Sequence, residues 1–277
     1  MLGAIVGDIV GSRYEFNNHR SLEFPLFDDD CFATDDSIMS LAVGKAIVEF
    51  YKQNLAIDDK GQKVLFDLTV RYMRQIGQPY PRCGYGGRFW HWMYCANPQP
   101  YNSFGNGAAM RVSAAAWAAS TLEEALKLAK VVTSVTHDHS EGIKGAQATA
   151  AAIFMARQGK RKEEIREYIN NCYYKLDFTI DEIRPYYRFN ETCMDTVPQA
   201  IEAFLESNNF ENAVRVAISV GGDSDTLAAI TGSIAEAFYG IPPEIEKKAI
   251  SYLNNNLAKL YQEWKVFQAS RAQYLVK

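Results

Sequence analysis

Apolar residues recur along most of this chain at the spacing of one helix face, and almost nowhere at the alternation of a strand. Ile38, Leu41, Ala42, Ile47 and Phe50 follow Thr34 in helical register. Leu227, Ile230, Ile234 and Phe238 follow Thr226 and stop at Gly240, with Pro242 and Pro243 beyond it. Further helices are predicted over 62–77, 122–135 behind a Thr121 cap, 141–158, 211–219, and from Asp195 through Leu205 with Pro198 in the first turn. Residues 108–119 read as one alanine-rich helix, 160–190 as a surface-facing pair of helices, and 244–260 and beyond as two C-terminal helices. Over 3–11, Gly3, Gly7 and Gly11 fall at i, i+4 and i+8 on one helical face. Each costs about 1 kcal/mol against alanine, so this smooth stripe predicts a second backbone passing very near. Its spacing is not that of a dinucleotide-binding Gly-x-Gly-x-x-Gly. The pattern as a whole predicts an all-α fold, a single domain over 1–277 with no linker and no short-period repeat.

Composition narrows the class. Of 277 residues, 48% are hydrophobic and 22% charged, which suits a globular protein with a sizeable core. A net charge of −4 leaves no electrostatic footprint for nucleic acid. The N-terminus lacks a basic region and is interrupted by Asp8, so no signal peptide is expected. The richest apolar run, 148–156, is far short of the roughly 20 residues that span a bilayer. Five cysteines without a Cys-x-x-Cys pair argue against a disulfide framework or a zinc knuckle. Reduced thiols, a cytoplasmic location and a monomer are expected.

Two acidic lips carry the chemistry. Thr34-Asp35-Asp36-Ser37 opens one predicted helix, and Gly221-Gly222-Asp223-Ser224-Asp225-Thr226 opens another. Asp and Thr are favoured N-caps, but a cap needs one oxygen, and each lip offers several. The glycine pair adds a turn that takes φ > 0. Carboxylates gathered from both lips would need neutralising, and an all-oxygen set selects hard cations, Mg²⁺ or Mn²⁺. Two such ions can hold vicinal hydroxyls or phosphate oxygens and polarise a bond toward water. The chemistry leaves a phosphoesterase or a glycosidic hydrolase of a phosphorylated sugar.

Other stretches are less decisive. Asn102-Ser103-Phe104-Gly105-Asn106-Gly107 is either a phosphate-holding loop or a tight connection. The aromatics Phe89, Trp90, Trp92 and Tyr94 favour core packing over a base-stacking wall. His137 and His139, at i and i+2 with no completing ligand, favour hydrogen bonding or capping over zinc. Asp28-Asp29-Asp30 reads as a solvated turn.

The ordered set Gly7-Asp8-x-x-Gly11-x-x-x-Glu15, Thr34-Asp35-Asp36-Ser37, Gly84-Tyr85-Gly86-Gly87, Ser103-x-Gly105-Asn106-Gly107-x-Ala109-Met110-Arg111, Thr136-His137 and Gly221-Gly222-Asp223-Ser224-Asp225-Thr226 resembles the ADP-ribosylglycohydrolase family over nearly the whole chain. That resemblance implies an orthogonal helical bundle around two Mg²⁺ or Mn²⁺ ions. By motif match, Thr34, Asp35, Asp36, Asp223, Asp225 and Thr226 would be metal ligands, with Asp36 bridging and catalytic. Glu15 would be the catalytic carboxylate on a flap. Gly86, Ser103, Phe104, Gly105, Asn106 and His137 would contact the substrate. The implied activity is cleavage at C1″ of the distal ribose of ADP-ribose, freeing a protein side chain or related conjugate. Phe104 and Ser224 stand where some relatives have tyrosine and threonine, the extra aspartate of the nitrogenase-regulating branch has no clear counterpart, and the chain is short for the family. Alternatives are a catalytically silent ADP-ribose-binding or crystallin-like relative, and a hydrolase of another nucleotide-sugar conjugate.

Overall fold

The glycine stripe sets the centre of the molecule. In the computed structural model, which describes residues 1–275, helix α1 (Leu2–Gly11) is buried along its whole length. A Cβ on Gly3 would stand 2.0 Å from the Gly232 carbonyl oxygen, one on Gly7 2.0 Å from that of Ala228, and one on Gly11 2.5 Å from the Asp225 Cα. The second backbone that the stripe predicts is therefore the Ser224–Tyr239 helix, running antiparallel to α1. The Gly3 N–H donates to Glu236 Oε2 at 2.8 Å, which satisfies one orphan donor at the α1 N-terminus with an anion.

Around this pair the remaining helices follow in order: α2 (Asp35–Tyr51), α3 (Asp59–Gly77), α4 (Gly87–Tyr94), α5 (Gly107–Met110), α6 (Ser113–Ala118), α7 (Leu122–Ser134), α8 (Ser140–Arg157), α9 (Lys162–Cys172), α10 (Ile180–Ile183), α11 (Cys193–Glu206), α12 (Phe210–Val220), α13 (Ser224–Tyr239), α14 (Pro243–Ile250) and α15 (Asn255–Leu275). Among the described residues there is no strand, only an isolated bridge between Gly105 and Thr192. One continuous apolar core runs from Met1 to Trp264. Alanines and glycines on α8 and α13 let these helices lie buried in its middle. No described helix is long and apolar enough to cross a membrane.

Three expectations need correction. Residues 108–119 do not form one helix: the chain breaks at Arg111 and Val112, where the buried Arg111 side chain reaches Thr136 and His137. The 160–190 segment holds α9 and the single turn α10, and its Tyr174 and Tyr187 are buried. The two expected C-terminal helices are present but part over 251–254 rather than beyond 260, where the Asn254 side-chain oxygen caps α15 by accepting from the Asn256 and Leu257 N–H groups. The Asp28–Asp30 turn is solvated, as expected, and Asp28 pairs with Arg13 at 3.1 Å. The aromatic stretch divides: Phe89 and Trp92 are core, while Trp90 and Tyr94 are exposed and pack on each other.

Candidate active site

The antiparallel packing of α1 on α13 brings the C-terminal half of α1 beside the N-terminus of α13, and the N-terminus of α2 joins them. Thr226 Oγ1 on α13 donates to Asp36 Oδ2 on α2 at 3.2 Å, so the two acidic lips meet across 190 residues. Carboxylate oxygens of Asp8, Asp36 and Asp225 lie within 4.8 Å of one another, as do those of Glu15, Asp223 and Asp225.

Local folding explains each placement. Thr34 caps α2, its hydroxyl accepting from the Asp36 N–H. Asp223 occupies the N-cap position of α13 but makes no capping bond. Its Oδ2 instead accepts from Asn106 Nδ2 at 2.6 Å. Capping thus accounts for the first lip in part and for Asp223 not at all. Gly221 and Gly222 have φ of +79° and +75°, the left-handed turn their pairing predicts. A Cβ on Gly222 would stand 2.6 Å from the Tyr187 ring. Arg20 ties the 15–20 segment to this turn, donating to the carbonyls of Val220 at 2.8 Å and Tyr187 at 2.6 Å.

Glu15, Asp35, Asp36, Asp223, Asp225, Thr226, Gly86, Ser103, Phe104, Gly105, Asn106 and His137 all line one cavity of about 520 Å³. Thr34 stands behind its wall, buried against Asp8. The Asn102–Gly107 loop is pinned from the other side: the Asn106 N–H donates to Glu191 O at 2.7 Å and the Cys193 N–H to Phe104 O at 2.9 Å. His139 caps α8, its Nδ1 accepting from the Glu141 N–H, in keeping with the capping reading.

Burial and mutual repulsion dominate the electrostatics. Asp35, Asp36 and Asp225 are held well above the usual carboxylate range by burial first and then by neighbouring carboxylates; burial also raises Asp223. Glu15, half-buried, is pushed up to about 7 by burial and then by Asp223, Asp8 and Glu191. Asp36 Oδ1 is buried with no hydrogen-bond partner among the described residues. An orphaned carboxylate oxygen in a crowd of like charges fits a cation that would occupy the space before it. The donor set, hard oxygens without His or Cys, fits Mg²⁺ or Mn²⁺.

Asp8 is a residue of this carboxylate cluster that the spacing arguments passed over. It is fully buried and raised to about 6, mainly by burial. It accepts from Thr34 N–H at 3.0 Å, Thr34 Oγ1 at 2.5 Å, Ser37 N–H at 3.0 Å and the Ser37 hydroxyl. Four donors use the lone pairs a carboxylate offers, so Asp8 orients the α2 lip rather than reaching into the cavity itself. Its signal in the sequence was a lone acid within an apolar, glycine-striped helix. Arg88, Tyr101, Arg111, Phe189 and Glu191 also line the cavity.

The sequence profile of the ADP-ribosylglycohydrolase family matches residues 1–272. The chain belongs to this family. It is similar to the human ADP-ribosylhydrolase ARH3, at 26% identity over 87% of this chain and 84% of that protein. It is similar to the ADP-ribosyl-[dinitrogen reductase] glycohydrolase of Rhodospirillum rubrum, at 27% identity over 87% and 84%. The ADP-ribosylarginine hydrolase Tri1 of Pseudomonas putida (strain GB-1) is 34% identical over 47% of this chain and 37% of its own. A solved structure described as an ADP-ribosylglycohydrolase-related protein complex superposes with a TM-score of 0.65 at 22% identity, covering 95% of this chain and 94% of that one, and shares the fold of this family member.

Proposed function

We propose that this protein is a divalent-cation-dependent hydrolase that removes ADP-ribose from a modified protein side chain or related conjugate, by cleavage at C1″ of the distal ribose. The observation that carries this reading is the meeting of the two lips at the Thr226–Asp36 hydrogen bond, beside the orphaned Asp36 Oδ1. Family membership, and the ADP-ribosyl substrates in the names of its relatives, support the choice of substrate.

Asp35, Asp36, Asp223, Asp225 and Thr226, with Thr34 behind them, would hold two Mg²⁺ or Mn²⁺ ions. When bound, such ions supply Lewis acidity toward ribose hydroxyls and neutralise the carboxylates. The Thr34 proton is committed to Asp8 and the Thr226 proton to Asp36. Each hydroxyl oxygen therefore has a lone pair free for a cation. Asn106 holds Asp223, and Asp8 holds Thr34 and Ser37, so the lips keep their shape while the charges repel. Glu15, whose half-burial at the cavity wall holds its pKa above the usual carboxylate range, takes the proton of the attacking water or returns one to the leaving side chain. The carboxylate-rich wall favours positive charge developing on the ribose ring. The Ser103–Asn106 loop, Gly86 and His137 hold the rest of the nucleotide.

The test is incubation of the protein with ADP-ribosyl-arginine and ADP-ribosyl-serine peptides, with Mg²⁺, with Mn²⁺ and with a chelator, reading released ADP-ribose by chromatography. Cation-dependent release from either peptide is the expected result. Release unaffected by chelator, or none from either peptide, sinks the proposal.

A further inference from the structure

Arg111 is among the largest fully buried side chains of the molecule, and no carboxylate hydrogen-bonds it among the described residues. A buried guanidinium without a carboxylate partner needs another reason to be where it is. Its Nη2 lies 2.6 Å from Thr136 Oγ1 and 3.1 Å from His137 Nδ1, and Thr136 Oγ1 lies 2.7 Å from the same Nδ1. A guanidinium has donors only. Nη2 therefore donates to Thr136 Oγ1 and points its other N–H at Nδ1, whose single lone pair it shares with the Thr136 hydroxyl. A proton on Nδ1 could be taken only by Thr136 Oγ1 and would sit against the guanidinium N–H 3.1 Å away, so the cation favours the bare lone pair there. The imidazole is left neutral, protonated at Nε2 alone.

That second nitrogen has a direction. His137 Nε2 makes no hydrogen bond among the described residues, and it faces the glycine loop: a Cβ built on Gly105 or Gly107 would lie 3.4 Å from it. Gly142, where a Cβ would stand 3.1 Å from the His137 Cβ, leaves the ring its seat at the start of α8. The ring lines the cavity beside Ser103, Gly105 and Asn106.

We infer that Arg111 is a positioning residue which locks His137 as an Nε2–H donor, aimed over the Gly105–Gly107 loop at an acceptor oxygen of the substrate. Resting on the functional reading above, that acceptor is an oxygen of the ADP moiety. The helix break at Arg111 and Val112 serves this contact, because it turns the Arg111 side chain inward.

The experiment is long-range ¹H–¹⁵N spectroscopy of the imidazoles in the full-length protein, whose four histidines keep the spectrum simple, with Arg111→Lys, Arg111→Met and His137→Gln. The wild type should show a single neutral Nε2–H tautomer for the signals lost in His137→Gln. Arg111→Met should lose the lock and show mixed tautomers, and Arg111→Lys, which keeps a donor, should restore it in part. ADP binding by calorimetry should weaken about tenfold in Arg111→Met, a loss of about one hydrogen bond, and no further in the double variant with His137→Gln. An Nδ1–H or mixed tautomer in the wild type overturns the lock, as does an unchanged spectrum in Arg111→Met. An Arg111→Met penalty that persists without His137 overturns it too. If Arg111→Met does not fold, the wild-type and Arg111→Lys spectra decide. Failure of the wild type to bind ADP would refute the functional reading, while the tautomer would still stand or fall by its own spectrum.

Discussion

Thr226 Oγ1 donates to Asp36 Oδ2 at 3.2 Å, joining two helix N-termini that lie 190 residues apart. The bond leaves the other Asp36 oxygen buried and without a partner among the described residues. It fixes the spacing of the lips in a region where every nearby carboxylate pushes its neighbours apart, so both residues should matter more with a cation than without one. Asp36→Asn and Asp225→Asn should each lower cation-dependent turnover at least about a hundredfold and abolish the rise in Tm on adding Mg²⁺ or Mn²⁺. Because each removes a charge from a crowded cluster, the cation-free Tm should rise in both. Wild-type turnover, or a lower cation-free Tm with native helicity, would contradict this arrangement.

The same repulsion gives the cation-free protein a pH dependence of definite sign. Asp8 and Glu15 stand at about 6 and about 7 in the fold, against roughly 4 for carboxyls of an unfolded chain. The folded state therefore holds protons more tightly than the unfolded one. Stability from these groups is full below about pH 4 and is lost as pH climbs through 6 and 7. Without cation, Tm should fall between about pH 5 and pH 7.5, and 10 mM Mg²⁺ should raise it more at the higher pH. Scanning fluorimetry across that range is the check. An equal cation effect at both pH values would remove the charge argument.

Much of this centre was legible in the sequence because its signals are local. Thr34 through Ser37 and Gly221 through Thr226 each gather more oxygens than a cap needs, and the left-handed φ of Gly221 and Gly222 follows from their pairing. The stripe of Gly3, Gly7 and Gly11 announced a close backbone, though not that it would be the helix behind the second lip. Asp8 and Arg111 fall within the motifs quoted for the family but carried no assigned role, for the opposite reason. Their roles depend on partners 25–29 positions away in sequence, and their immediate neighbours do not show those partners. Arg111 was further hidden inside an alanine run that reads as one helix and is two.

Gly7→Ala tests the close approach directly. At an exposed helical site this change stabilises by up to about 1 kcal/mol, but here the new Cβ would sit 2.0 Å from the Ala228 carbonyl oxygen. It must push α13 away from α1, costing about 2 kcal/mol or more, and carry Asp225 with it. Chemical denaturation should show destabilisation, and cation affinity should fall in parallel. A stabilised Gly7→Ala protein would mean that the two backbones do not touch.

Asp8→Asn separates orientation from ligation. The amide keeps the size of the carboxylate but brings N–H donors to a site already supplied with four. At least one donor of Thr34 or Ser37 is then left unmatched in the interior, at about 1–3 kcal/mol. Cation affinity should fall about 10–100-fold, the range for a group that orients ligands, with turnover recovering at saturating cation. Turnover that stays abolished at any cation concentration would place Asp8 among the ligands themselves.

Glu15 is the residue whose role the geometry divides most sharply. Its oxygen lies close enough to those of Asp223 and Asp225 to share a cation with them. Yet it is only half-buried, and burial, the first cause of its raised pKa, persists when a cation neutralises the carboxylates around it, which suits a group that exchanges a proton in the cavity. Glu15→Gln keeps an oxygen for a cation and removes the proton exchange. If Glu15 is the acid–base group, kcat should drop about 10²–10⁴-fold, the limb of the pH–rate profile that Glu15 sets should vanish, and the cation-induced rise in Tm should persist. If it is mainly a ligand, the Tm response should weaken and turnover should recover as cation is raised. The two outcomes differ in the cation titration, so one variant measured for turnover and Tm decides between them.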